Sequence, residues 1–547
     1  MINKSIQYVL CLLLFIIPVA WWTRLNANYY STKLTLLFLA GGIAWLVIPR
    51  KIALPRFPRP MLFSLLVIVF FQIAYHTFSL SLDDVLFISK FVSFAALVFW
   101  IYSLNIRLEK VFEKLTYIIF LTVASILAIT LFEFYNSRIN NLSTDVSVFL
   151  GTFGNVNMFA EFFVLTLPFL FQWSRHEDKI PKVLKLLLLS LWIFFILYCS
   201  SRSAWIGLLL FLVALLRYQV SKKELAFVFL SFLLYFSNVY LPSQVNQAVA
   251  VKGNSFKERL GLYEATVELI KDHPWGIKAG SFMGEVELYQ MNSDVKPSEF
   301  TYFDQPHSEF LKWGAQFGWL FLFSVLVLFF TVFFLIGKWF FLQEQLFFVQ
   351  VFLVLLPQML FQFPFENPAS ILCLSLFFGL FFREFASEKT VVIPWFIRPV
   401  FIGLFLFGLY SSVGFLNSVY QESTNPRTDK IISACEYYPI NLRACHAKLN
   451  YFLESKQFEK FTTHFKEDFA KEPFFVDYLR LLPTYYSVKQ NSKKTCESLF
   501  LYKTIFPHQT AFNNKYYEDC RGFANTFYFE DPAKFKAKYL TWLDGLN

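Results

Sequence analysis

Long apolar runs recur along the first 417 residues, and they constrain the fold more than any other feature of the sequence. About 13 of them come near the ~20 residues that a helix needs to cross a bilayer. They lie at 7–23, 33–49, 61–80, 85–104, 113–134, 152–172, 183–201, 203–216, 224–241, 312–337, 341–363, 367–385 and 395–417. The pattern predicts an all-α polytopic membrane protein whose first helix is retained and not cleaved as a signal peptide.

The composition supports lipid as the solvent. Hydrophobic residues make up 56% of the chain and charged residues 16%, with 73 Phe among 547 residues. No soluble domain of this length needs so much apolar surface. A net charge of +10 would also fit nucleic acid, but the basic residues cluster in short loops between the runs. The bilayer is therefore an expected partner, and nucleic acid is not.

The short loops differ in charge, and this difference predicts the topology. Basic residues fall in alternate loops, which positive-inside bias places in the cytoplasm. These residues are Arg50, Lys51, Arg56, Arg59, Arg107, Lys110, Lys114, Arg175, Lys179, Lys182, Lys185, Arg217, Lys222, Lys223, Lys338, Arg383 and Lys389. The N-terminus is then cytoplasmic. A transmembrane domain at 1–417 is predicted to carry an outer loop at about 242–311, followed by an outer domain at 418–547.

The tail at 418–547 reads as short amphipathic helices, similar to a small helical-hairpin array of the tetratricopeptide kind but without a clean repeat. It binds a partner or serves as a stabilising cap. Its four cysteines allow three pairings. In an oxidising compartment we favour Cys435 with Cys445 and Cys496 with Cys520, since each pair closes a short loop. Four free thiols are the alternative.

Residues 302–320, YFDQPHSEFLKWGAQFGWL, join the polar outer loop to an apolar run. His307 lies at this junction, with Gln305 and Glu309 beside it. An imidazole where a watery loop meets the bilayer can do proton chemistry on a substrate held at the membrane surface. The simpler alternative is a loop-end imidazole bonded to the backbone.

Cations near the predicted outer face form a second group. Arg202 lies in CSSRSAWIGL, where a guanidinium at the membrane centre would cost roughly 2.5–3.5 kcal/mol. It either snorkels to the outer interface or binds phosphate, for which its planar fork is suited. In the outer loop, Lys257 and Arg259 can neutralise a diphosphate, and Lys278 and Tyr263 lie in the same polar cluster. Most charges in such a loop are simply solvated.

The segment GTFGNVNMFAEFF at 151–163 begins another run. Asn155 and Asn157 can hydrogen-bond a sugar or cap the helix. Glu161 lies one turn inside the run and is costly there unless paired, so we expect a contact with Arg202 or another cation.

Several motifs are missing from the sequence. It contains no Walker A loop, dinucleotide fingerprint, HExxH or GxSxG, and no DxD in an outer loop. An ATP-driven pump and metal-dependent glycosyl transfer are disfavoured, and neither a cofactor nor a metal site is predicted.

Four segments, taken in order, resemble the O-antigen ligase superfamily, which includes O-antigen ligases, some polymerases and bacterial O-linked oligosaccharyltransferases. They are GNVNMFAEFF (154–163), SRSAWIGL (201–208), RLGLYEATVELIKDHPWGI (259–277) and HSEFLKWGAQFGWL (307–320). The resemblance covers residues 150–330. Two departures stand out: many members carry an acidic residue where Gln316 stands, and a second Gly near Phe321 is absent.

The resemblance implies a glycan donor linked to undecaprenyl diphosphate in the outer leaflet. An acceptor hydroxyl would displace the lipid diphosphate with inversion and without a metal, and His307 would be the general base. Donor binding would fall to Arg202, Arg259, Lys257 and Lys278. The sugar or acceptor would be positioned by Asn155, Asn157, Gln305, Glu309 and Tyr263.

The cysteine-bearing tail looks more like the pilin-modifying oligosaccharyltransferases of the PglL and PglS type than the lipopolysaccharide ligases. We therefore expect a bacterial inner-membrane enzyme that transfers glycan to Ser or Thr of a periplasmic protein such as a pilin. The alternatives are an O-antigen ligase acting on lipid A-core, an O-antigen polymerase or, from another class, a lipid-glycan flippase with its cations along a central cavity.

Overall fold

The computed structural model describes most of the chain, in segments that are almost all helical. These cover residues 29–49, 51–55, 82–104, 120–132, 155–176, 180–199, 201–218, 222–239, 244–277, 282–290, 305–392, 442–471 and 476–505, with isolated positions between them. The chain divides into two compact units. The membrane unit combines residues 1–247, 307–310 and 323–416, and the loop–tail unit combines 248–306, 311–322 and 417–547.

The elements follow one another along the chain. In order they are α1 (Tyr29–Val47), β1 (Lys51–Pro55), α2 (Leu82–Ser103), α3 (Val156–His176), α4 (Lys182–Tyr198), α5 (Arg202–Arg217), α6 (Lys222–Val239), α7 (Gln244–Asp272), α8 (Phe282–Gln290), α9 (Glu309–Leu342), α10 (Leu346–Phe361), α11 (Pro368–Arg383), β2 (Ala386–Val392), α12 (Leu442–Glu454), α13 (Phe458–Lys471), α14 (Val476–Val488) and α15 (Ser492–Ile505).

The helical fold class is confirmed, whereas the number of spans stays a prediction. Helices α1 to α6 and α9 to α11 coincide with predicted apolar runs to within a few residues. Among the described residues, Val156–Arg175 and Glu309–Leu342 are the two helices long and apolar enough to cross a membrane, with mean hydropathies of 1.3 and 2.8. The runs at 7–23, 61–80, 113–134 and 395–417 lie largely outside the described residues.

In the membrane unit, α10 packs on α3 and α5, while α11 packs on α1, α2 and α3. The backbone of α5 approaches its neighbours closely at Gly207. A Cβ there would lie 3.2 Å from Val164 Cγ2 and 3.4 Å from both Gln358 Nε2 and the Val354 carbonyl oxygen. The first turns of α3 and α5 and the last turn of α10 therefore lie at one end of this unit.

The opposite end holds the one pair of strands found in the described residues. Strand β1 pairs antiparallel with β2, in a register that joins Lys51 to Val392 and Pro55 to Ala386. This ribbon adds to the predicted all-α class. Because both strands come from loops of the set predicted to be cytoplasmic, the pairing agrees with the topology read from charge.

In the loop–tail unit, the predicted outer loop and the tail share one hydrophobic core. Leu262 and Leu269 of α7 and Val286 of α8 lie in the same buried cluster as Leu449 of α12 and Leu482 of α14. The tail helices pack as hairpins, α12 on α13 and α14 on α15. Disulfides join Cys435 to Cys445 and Cys496 to Cys520, which are the pairs that the spacing favoured.

Candidate active site

His307 lies immediately before α9, as the sequence indicated. Its backbone has a φ of 49°, a left-handed conformation that costs a non-glycine residue about 1–3 kcal/mol and persists only where the surroundings enforce it. The imidazole is half-buried, and its ring centroid lies 5.6 Å from that of Phe363. The backbone strain marks this residue as held in place.

Glu309, the first residue of α9, is fully buried. Its Oε1 accepts a hydrogen bond of 2.8 Å from the backbone N–H of Phe365. A carboxylate at a helix N-terminus is also favoured by the helix dipole. This residue, predicted to position a sugar or acceptor, therefore binds the protein's own backbone.

Glu161 is buried in the second turn of α3. Its Oε1 accepts hydrogen bonds from Ser370 Oγ at 2.6 Å and from Asn367 Nδ2 at 3.4 Å. The expectation of a cationic partner is therefore corrected: these partners, both at the start of α11, are a neutral hydroxyl and a neutral amide. These neutral donors satisfy Oε1, whereas Oε2 is buried with no hydrogen-bond partner among the described residues.

A short connection between α10 and α11, residues 362–367 (QFPFEN), meets both carboxylates; we call it the polar turn. Glu366 Oε2 lies 2.5 Å from Lys90 Nζ of α2, in an ion pair that is about nine-tenths buried. Asn367 caps α11 by accepting from Ala369 N–H. Sequence reasoning missed the turn, although an Asn-Pro pair after a Glu between two apolar runs is a signal for it.

Arg202 is the first residue of α5 and is exposed. It follows the N-cap Ser201, whose hydroxyl lies 3.2 Å from that of Ser203. The packing around Gly207 places the start of α5 at the end where α10 finishes. We call this the site end of the membrane unit: α3, α5, α9 and α11 begin there, and the polar turn follows α10.

In the loop–tail unit, two glycines let a turn of the outer loop meet a break in α9. Gly276 has a φ of 91° and Gly318 a φ of 80°, which interrupts the helix. Trp319 N–H donates to the Pro274 carbonyl oxygen at 3.0 Å, and a Cβ on Gly318 would lie 2.2 Å from that oxygen. The DHPWGI and GAQFGWL segments thus have a structural reason for their glycines.

Residues 186–326 match the family model described as O-antigen ligase. The resemblance to the O-antigen ligase superfamily is confirmed. The matched residues, which we call the ligase domain, make up about a quarter of the chain. They include Arg202, Arg259 and His307. No curated protein matches the chain.

The family indicates a membrane enzyme that transfers glycosyl groups from a lipid-linked oligosaccharide to an acceptor. The two buried glutamates differ in position relative to the ligase domain: Glu161 lies before it and Glu309 lies within it. The polar turn, at residues 362–367, lies beyond its end. The matched segment therefore does not contain all of the structure around His307.

Other predicted residues lie before the ligase domain. Asn155 Oδ1 accepts from the N–H of Asn157 at 2.8 Å and of Met158 at 3.4 Å, so this side chain caps α3. Asn157 is half-buried at the start of α3. A sugar-positioning role for either asparagine stays a prediction.

The remaining predicted residues belong to the loop–tail unit. Tyr263 and Arg259 lie one turn apart on α7; burial raises the pKa of Tyr263, and the Arg259 charge opposes the shift. Gln305 Oε1 accepts from Lys312 Nζ at 3.4 Å. Lys257 lies in α7, but its side chain is not among the described parts of the structure. Lys278 lies wholly outside the described residues.

Proposed function

We propose that this protein is an O-linked oligosaccharyltransferase of the bacterial inner membrane. It moves a preassembled glycan en bloc from undecaprenyl diphosphate to Ser or Thr of a periplasmic protein, and a pilin is the acceptor that we favour. The observation that carries the proposal is His307, held in a strained conformation at the start of α9 within the ligase domain.

In the proposed reaction, the oxygen of the acceptor hydroxyl attacks the anomeric carbon of the first sugar. Its proton passes to His307, whose ordinary pKa range suits a general base at neutral pH. The bond between the anomeric carbon and the phosphate oxygen breaks, and its electron pair leaves with undecaprenyl diphosphate. The configuration at the anomeric carbon inverts.

Cations stabilise the charge that grows on the leaving diphosphate. Arg202 is exposed at the site end, as the first residue of α5. We assign Arg259, Lys257 and Lys278 to the same donor-binding role. The reaction so written needs no metal ion.

The tail supports a protein acceptor. Its helical hairpins share a core with α7 and α8, so that an extended helical surface is built onto the predicted outer loop. Arrays of helical hairpins commonly present binding surfaces for other chains. The family description favours a second candidate, a ligase with lipid A-core as acceptor.

The test is a transfer assay with the purified full-length protein, lipid-diphosphate glycan and a candidate pilin, run in EDTA. Mass analysis of the pilin reports glycan on Ser or Thr. Lipid A-core, offered in a parallel reaction, is the competing acceptor. Glycosylated pilin supports the proposal; product on lipid A-core alone identifies a ligase. Loss of all transfer in EDTA, restored by a divalent ion, contradicts the metal-free reaction.

A further inference from the structure

The polar turn is fastened to helices that are far away in the sequence. Lys90 of α2 pairs with Glu366, and Glu161 of α3 binds Asn367. Glu309 of α9 binds the Phe365 backbone. A loop of six residues rarely needs buried charges from three helices for stability alone, because each desolvated charge is costly even when it is paired.

Glu161 is a deeply buried anchor. It is 1% exposed and lies in one of the two described helices fit to cross a membrane. Besides Ser370 and Asn367, it interacts with the backbone of Phe363. An ionisable side chain in a membrane helix is a functional residue by default, and the proposed reaction leaves Glu161 without a role.

Glu309 connects the turn to the proposed base. It is two residues from His307, and its hydrogen bond to Phe365 N–H fixes the start of α9 against the polar turn. The His307 ring itself lies against Phe363, another residue of the polar turn. His307 is therefore held by the turn through its ring and through its helix.

We propose that the polar turn is the support that positions His307, and that Glu161 and Glu309 are positioning residues for the transfer reaction. Glu161 fixes the end of the turn through Asn367 and the start of α11 through Ser370, and Glu309 fixes the centre of the turn through Phe365. Together they enforce the left-handed backbone at His307. The inference rests on the proposed function only in taking His307 as the base.

Two serines on α11 provide a matched test. The Ser370 hydroxyl donates to Glu161, whereas the buried Ser375 hydroxyl donates to the Ile371 carbonyl of its own helix. Ser370→Ala is expected to lower kcat about tenfold with little change in KM, because a small misplacement of a catalytic group is costly. Ser375→Ala should match the wild type. Glu161→Ala should lose about a hundredfold, and Glu161→Gln, which keeps an acceptor oxygen, should recover most of it.

A second readout does not depend on transfer. Diethyl pyrocarbonate modifies exposed imidazoles, and the rate at His307 can be followed by peptide mass. We expect this rate to rise about threefold or more in Ser370→Ala and Glu161→Ala, as the support loosens, and to be unchanged in Ser375→Ala. An unchanged rate in both variants would overturn the inference, even if transfer fell. Full transfer by His307→Ala would instead refute the proposed function, while a raised modification rate would still support the positioning role.

Discussion

The two ends of the membrane unit differ in how they use polar groups. At the site end, Lys90, Glu161, Glu309 and Glu366 are buried and have short, specific contacts. At the opposite end, some polar contacts are exposed, such as the bond of 2.9 Å from Arg217 Nη2 to the Phe341 carbonyl oxygen, although Lys185 is buried there. Buried charges cost far more than exposed ones and are kept where geometry must be fixed. The buried carboxylates among the described residues of the membrane unit, Glu161, Glu309 and Glu366, all lie at the site end.

The largest effect is expected from His307→Ala. Removal of a general base typically costs 10²–10⁴-fold, and we expect a loss of about 10³-fold in transfer. The measurement is the initial rate of glycan transfer by mass analysis. His464→Ala is the matched control, because that half-buried imidazole lies on α13 in the tail, against Phe452. Equal losses in the two variants would mean that His307 acts on folding and not on the reaction.

A smaller loss, of about 10²-fold, is expected from Arg202→Ala if the guanidinium stabilises the leaving diphosphate. Arg217→Ala is a demanding control, because Arg202 and Arg217 are the first and last residues of the same helix, α5. Arg217→Ala should keep nearly full activity. Similar activities in the two variants would remove the functional difference between the ends of the unit, whatever the role of His307.

Much of this organisation can be predicted from the sequence, because local pattern determines it. The apolar runs predicted the helices from α1 to α6, and the position of His307 at the junction followed from the change in polarity. The polar turn was missed because Asn367 and its partner Glu161 are 206 positions apart in the chain. A local sequence pattern cannot predict which distant carboxylate hydrogen-bonds to which turn.

Other features were hidden for related reasons. The break at Gly318 lies within one continuous apolar run and becomes visible only through the Pro274 backbone that meets it. The strands β1 and β2 are short and lie more than 300 residues apart. Glu161 was expected to meet a cation because a buried carboxylate needs a partner. Its partners are instead two neutral donors, the Ser370 hydroxyl and the Asn367 amide.

The difference between the two ends can also be tested through stability. Lys90→Met leaves Glu366 buried without its cation, and breaking a buried pair in this way costs about 3 kcal/mol. At the opposite end, Gln345→Ala removes an exposed bond of 3.2 Å to Glu384 and should cost less than about 0.5 kcal/mol. Thermal unfolding in detergent can be followed by a thiol-reactive dye, because Cys199 and Cys373 are buried free cysteines. Equal shifts in the two variants would contradict the comparison.

The last effect concerns a buried carboxylate outside the membrane unit. Glu287 of α8, in the loop–tail unit, is 3% exposed, and its Oε1 has no hydrogen-bond partner among the described residues. Burial raises its pKa from 4.5 to about 8. The folded state therefore holds a proton that the unfolded state releases above pH 4.5, so stability is highest below that pH and falls as the pH rises toward 8.

Glu287→Gln removes this dependence, because glutamine has no proton to release. The variant should be more stable than the wild type by about 4 kcal/mol near pH 8 and should gain little near pH 4.5. Pulse proteolysis of the loop–tail unit across this range measures the difference. Glu285→Gln, a half-buried glutamate on the same helix, controls for the change in net charge. If the stability of the wild type does not fall between these pH values, a glutamate can be buried here at no cost. That outcome would weaken the argument that the buried charges of the site end are kept for function.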